Sequence, residues 1–175
     1  MIKRTIYLLL VFALPLSAKI LTSPIDAMKY SYGEDAIVTK RNILLSKERT
    51  KAIEEQAHIK LESKIFRIFK AEKDNKILGF GVLVNRKVRS KNAVVLYLIS
   101  KDSVLKSIEV IAFNEPIEYL PSKTWNAQFE NVSTDKMLKT STDIPTITGA
   151  TLSARALTDG SRIAFAIYNE TLKGK

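Results

Sequence analysis

Hydrophobic positions along this chain follow a strand-like pattern in the middle and a helical one on either side. Lys64 to Lys70, Lys76 to Val84, Ala93 to Ser100 and Lys106 to Phe113 are short runs rich in Ile, Val, Leu and Phe, the signature of β-strands. Asp74-Asn75, the charged stretch Asn85 to Asn92 and Lys101-Asp102-Ser103 separate them. Such connections are too short for helical crossovers, so the four runs read as an antiparallel meander. Lys76 to Val84 and Ala93 to Ser100 are apolar at nearly every position, which predicts central strands covered on both faces. Lys106 to Phe113 alternates instead, with Ile108, Val110 and Ala112 facing one way and Ser107 and Glu109 the other. Gly79 and Gly81 interrupt a strand, where glycine marks a bulge, a close approach of another group such as a ring, or a plain packing accommodation.

Upstream of the meander, Ser46 is placed to cap a helix over Lys47 to Leu61, with Glu48 in its first turn and Ala52, Ile53 and Ala57 on one side. Downstream, Ala156, Gly160, Ile163, Ala164 and Ile167 recur at steps of three and four. That periodicity predicts a helix beginning at or just before Thr151 and ending near Tyr168, with Lys173 and Lys175 favourably placed for its dipole. Lys19 to Asn42 is mixed and turn-rich, and no element is assigned to it. Glu115 to Pro121 reads as a proline-punctuated loop, Trp125 to Phe129 as a helical turn or two, and Asn131 to Thr146 as a long polar wrap. The expected architecture is α+β: a central antiparallel meander flanked by helices, within one domain spanning 19–175.

The first residues carry a different message. Lys3 and Arg4 precede an apolar run from Ile6 to Leu16 and then Ser17-Ala18, the three regions of a secretory signal. Export to the periplasm follows, with cleavage after Ala18; an uncleaved segment would hold the protein at the outer face of the inner membrane. The formal charge of +10 includes Lys3 and Arg4, which leaves +8 on the exported chain. Such a basic balance invites a nucleic-acid reading. Export, the even spread of the cations and the lack of a recognition module argue against one, and a solvated basic surface or docking onto an acidic partner or anionic membrane remains. The chain has no cysteine, which excludes disulfides, thiolate metal sites and iron–sulfur clusters. Redox chemistry here would need an organic cofactor.

The candidate chemistry lies where the last helix starts. Thr148, Gly149, Ala150 and Thr151 precede Leu152 and Ser153, after Pro145 has fixed a turn or extended conformation. The first N–H groups of a helix lack internal partners and the aligned peptide dipoles leave positive charge there, so the position suits a phosphate. The two threonines also offer capping hydroxyls. By itself T-G-A-T is weak evidence, since small residues before a helix usually serve only as a cap.

Taken with a second motif, it resembles the flavin-attachment sequence of the FMN-binding domain family. The second motif is Glu115-Pro116, Tyr119, Pro121, Trp125 and Gln128-Phe129, in the form E-P-x-x-Y-x-P-x-x-x-W-x-x-Q-F. That family includes flavin subunits of sodium-pumping quinone reductases and of ferredoxin-oxidising complexes. The resemblance implies FMN esterified through its phosphate to the Thr151 hydroxyl, with Thr148, Gly149, Ala150, Leu152 and Ser153 around the attachment point and Glu115, Tyr119 and Trp125 beside the cofactor or shaping its site. It further implies a separate flavin transferase that uses FAD and a divalent cation, and redox partners such as a membrane respiratory complex. The family often has an acidic residue where this chain has Pro145; Asp143 lies two residues earlier, and no role is carried over to it. The function expected is an exported electron-relay flavoprotein rather than a stand-alone enzyme, the alternative being a non-flavinylated accessory or binding module of a redox complex. His58 is the only histidine, so a histidine metal cluster or a Ser-His-Asp triad has nothing to draw on. Glu34-Asp35 and Glu54-Glu55 read as solvated pairs.

Overall fold

The computed structural model describes Lys19 to Gly174; the signal segment read at 1–18 and the last residue, Lys175, lie outside the described residues. The four expected strands form β3 (Ile65–Lys73), β4 (Lys76–Lys87), β5 (Asn92–Ser100) and β6 (Val104–Phe113), each antiparallel to the next. β2 (Ile37–Leu44) adds to β3 at one margin. At the other margin the two-residue strands β1 (Lys19–Ile20) and β7 (Val132–Ser133) pair with opposite ends of β6. The order is therefore β1-β6-β5-β4-β3-β2, and the fold is α+β.

Both faces of this sheet are covered. α2 (Lys47–Ala57) and α4 (Thr151–Thr171), with the one-turn α3 (Lys123–Asn126) between them in the chain, lie on one face, where Ile53, Ala57, Ala154, Leu157 and Ile163 join Val82, Val84, Val95 and Tyr97 in the larger core. α1 (Pro24–Tyr32) lies on the other, where Ala27 and Met28 meet Phe69, Ala71, Leu96, Leu98 and Ile111. Each large side chain buried here contributes about 1.5–3 kcal/mol, which is why the two continuous apolar runs occupy the middle of the sheet. α4 is locked to β5 by Tyr97, whose hydroxyl donates to Leu157 O at 2.8 Å. Gly160 makes this approach possible, since a Cβ built there would overlap the Tyr97 hydroxyl.

The structure departs from the sequence reading in three places and settles a fourth, the choice left open at Gly79. The stretch Lys19 to Asn42 holds β1, α1 and most of β2; α1 has a capping Ser23 that accepts from Asp26 N and a proline in its first turn. α2 ends at Ala57, not Leu61, because His58 turns left-handed (φ 54°) and Ile59 N bonds back to Glu54 O. Gly79 stands both next to a bulge and under a ring: the register slips across Leu78, and Tyr32 of α1 passes over Gly79 to donate to Ile99 O at 2.8 Å. In β6 the alternation fails at Ile111, an extra residue opposite Val94 and Val95. Ala112 consequently pairs with Val94 and does not share a face with Ile108 and Val110, as expected from the pattern.

The polar segment after β7 is an anchored strap. Leu138 and Ile144 are buried in the larger core, and Thr140 bridges to Ile144. Asp143 pairs with Lys136 at 3.0 Å and accepts from Lys139 N at 2.9 Å, which hold its carboxyl below the usual range. Among the described residues no helix is long and apolar enough to cross a membrane.

Candidate functional site

α4 opens where its sequence pattern placed it, at Thr151, with Ala150 as the N-cap. Its start is bare. No side chain caps it, so the capping expected of Thr148 and Thr151 does not occur; Thr148 is exposed, and the Thr151 hydroxyl donates only a long bond, 3.4 Å, back to Ile147 O. The reason lies in the preceding turn. Ala150 N donates to Ile147 O at 2.9 Å and Gly149 takes φ +79°, so the chain reaches the helix through a tight backbone turn that orients neither hydroxyl across the helix end. The first helical bond is Ala154 N to Ala150 O, which leaves the N–H groups of Thr151, Leu152 and Ser153 ahead of it.

These residues line one side of a cavity of about 250 Å3, whose other walls are Val88, Arg89, Glu115 and Tyr119. The fold thus gathers Gly149, Ala150, Thr151, Leu152, Ser153, Glu115 and Tyr119 in one place. Thr151 is exposed at the cavity, Ala150 is buried, and Leu152 is 42 % exposed. Ser153 is 1 % exposed, yet its hydroxyl has no hydrogen-bond partner.

Glu115 follows β6 and reaches the connection between β4 and β5. Its Oε1 accepts from the N–H groups of Arg89, Ser90 and Lys91 at 3.1, 2.6 and 2.7 Å, and these bonds, that from Lys91 foremost, pull its pKa below the ordinary glutamate value. The carboxylate is thereby consumed in shaping a wall of the cavity. With its charge met by three backbone dipoles, the field inside is set by the positive end of α4 and by Arg89. Arg89 is exposed, and its guanidinium enters no ion pair among the described residues.

Trp125 and Thr148 stand apart from the cavity wall. Trp125 sits in the larger core, stacked edge-on to Phe129 at 5.4 Å, and its indole N–H donates to Pro145 O at 3.0 Å. It therefore ties down the segment that leads into α4. Arg89 and Val88 belong to the site but lay unremarked within the charged stretch between two strands; nothing local in the sequence connects them with a helix start some sixty residues later. Among the described residues there is no cluster of His, Asp and Glu able to hold a metal ion.

No protein-family model matches the chain, and a search of curated proteins found no match to it.

Proposed function

We propose that this protein carries FMN through a phosphoester on Thr151 and relays electrons at the cell envelope. The observation that carries the reading is an exposed threonine hydroxyl on the bare first turn of a long helix, at the edge of a cavity that Glu115, Tyr119 and Ser153 also line. The residues fit a phosphate monoester. Unshared N–H groups, the helix dipole and Arg89 supply positive potential, and Gly149 leaves open space where a side chain would stand. Val88, Tyr119 and Leu152 offer apolar surface for part of a flavin ring.

The cavity's size bears on the mode of attachment. Sites that enclose a cofactor usually measure about 300–1,000 Å3. A cleft of about 250 Å3 holds the phosphate end and leaves much of a tricyclic ring outside, so an ester is the stronger means of retention. The bound flavin supplies the electron transfer. Thr151 acts as an acceptor: its Oγ bonds to the flavin-side phosphorus of FAD as the bond to the AMP phosphate breaks, AMP leaves, and the hydroxyl proton passes to the transferase. The absence of a histidine near Thr151 accords with a base supplied by a second protein. Delivery by a secretory signal at 1–18 accords with export before modification, and the partners are that transferase and redox proteins of the envelope.

Mass spectrometry of protein exported from a host that makes the transferase tests the reading. A Thr151 peptide heavier by one FMN less water is expected, with fluorescence surviving denaturation and lost in Thr151→Val. An unmodified peptide overturns it and leaves a non-flavinylated accessory module of a redox complex.

A further inference from the structure

The cover that α1 gives its face of the sheet is shorter than the strands beneath it. Its nine residues span about 13 Å, against about 40 Å for the twelve of β4. Met28 and Tyr32 fill the space above Gly81 and Gly79, next to Phe69 and Ala71 of β3. Further along the strands the same face is open. Alternation from Phe69 puts Arg67 and Ile65 on it, and the register adds Asn42 and Leu44 from β2. Leu83 of β4 and Val94 of β5 continue it. Leu44 and Ile65 lie opposite one another and are 74 % and 60 % exposed. Beyond the Arg67–Leu83 pair β3 and β4 part, and the surface sinks into a cleft of about 460 Å3 that Ile65, Arg67, Leu83 and Val94 help to line.

We propose that this open half of the sheet docks an acidic, partly apolar segment of a partner protein. Charge selects the partner. Arg67, whose Nε donates to Asn42 Oδ1 at 3.3 Å, shares the face with Lys40 and Lys87, and among the described residues none of the three enters an ion pair. The strands contribute no Asp or Glu to the open half. Of the carboxylates around it, Glu62 at the cleft pairs with Arg86 at 3.4 Å, and Glu109 lies across Leu96 in a separate cavity beside α1. A second copy of this chain would oppose cation to cation. A bilayer meets Leu44 and Ile65 but does not enter the cleft where Leu83 and Val94 are half-buried, whereas an apolar side chain fits there. Complementary charge then steers the encounter, and apolar burial holds it. The surface shares no residue with the cavity at the start of α4, so the docking holds whether or not Thr151 carries flavin.

The exported chain is titrated with three probes while its amide resonances are followed: an amphipathic helical peptide of Leu and Glu, the same peptide with Lys for every Glu, and vesicles of phosphatidylglycerol and phosphatidylcholine. Saturable binding of the Glu peptide is expected, with the largest shifts in residues 42–44, 65–67 and 83–87, and no binding of the Lys peptide. Arg67→Glu combined with Lys87→Glu weakens binding by about tenfold, as two attractions become repulsions. Ile65→Ser weakens it by about three- to fivefold with the charge unchanged. Lys76→Glu combined with Lys139→Glu, exposed cations at the far end of β4 and in the strap, makes the same change in net charge and leaves binding within about twofold. All these positions but Lys87 and Ile65 aside are exposed too, so each variant keeps the amide pattern of the folded chain. Failure of the Glu peptide to bind overturns the proposal, as does equal weakening by the two charge-reversing pairs, which would report only the net charge. Vesicle binding that Arg67→Glu with Lys87→Glu removes, without peptide binding, assigns the surface to lipid and overturns it as well.

Discussion

Neutralising Glu115 is the sharpest probe of the cavity, because it changes one charge and almost no volume. In Glu115→Gln the acceptor oxygen can stay in place, but three bonds of 3.1, 2.6 and 2.7 Å to the turn at residues 89–91 lose their charge assistance. Charge-assisted bonds are roughly twice as strong as neutral ones, so the substitution removes about 0.5–1 kcal/mol from each. The residue lies close to the surface, at 8 % exposure, and water replaces part of what is lost. A net destabilisation of about 1.5–2 kcal/mol follows, read as a lower urea midpoint at unchanged slope. The local effect is larger than the global one: the amides of Arg89, Ser90 and Lys91 exchange with solvent faster in the variant. The wild type shows the same behaviour with acid. Since the carboxyl's folded pKa is lowered, its contribution is complete above the unfolded value near about 4.3 and disappears as pH falls below that, through the folded value. Between pH 5 and 8 this group gives no pH dependence. An unchanged urea midpoint in Glu115→Gln together with unchanged exchange at residues 89–91 would refute the assignment of Glu115 to the turn.

Three further substitutions probe the surroundings. Thr151→Val abolishes covalent flavin while thermal stability stays within about 0.5 kcal/mol, because the exposed hydroxyl makes only the long bond to Ile147 O; a large drop in stability would show that the residue is structural. Gly160→Ala gains about 1 kcal/mol in helix propensity but costs more by forcing Tyr97 away from Leu157 O, for a net loss of about 2–4 kcal/mol in chemical denaturation. Adding Tyr97→Phe recovers part of that loss, and strict additivity of the pair would contradict the contact. Trp125→Phe removes the indole donor to Pro145 O and leaves a partly empty site, costing about 1–3 kcal/mol and speeding amide exchange in residues 146–150; equal exchange rates would detach Trp125 from that segment.

What could be read from the sequence depended on how local the cause was. The meander and α4 are written in side-chain periodicity, and the two apolar runs took the central places because only buried strands can afford to be apolar on both faces. α1 escaped because only Ala27 and Met28 are buried in its nine residues, too few to set up a repeat, although Ser23, Pro24 and Asp26 spell a helix start. β2 escaped because it is an edge strand, with Thr39, Lys40, Arg41 and Asn42 all polar where a half-buried strand would alternate. The bulge at Ile111 has no glycine to announce it, and it moved Ala112 to the other face. At the site, the helix start was visible from its own residues. Arg89 was not, because the fold alone brings the β4–β5 connection to that helix, and the work of Glu115 is done on backbone N–H groups, which no sequence displays.

The margins of the sheet carry a consequence for how copies of this protein meet. On one side the rim is a ribbon whose outward residues include neighbouring cations, Lys40 and Arg41; on the other, β1 and β7 are each two residues long. Two molecules approaching along the first rim bring like charges together, which disfavours edge-to-edge pairing there. The cations at that rim thus work against strand-by-strand stacking, even with so much of the sheet made of Ile, Val and Phe.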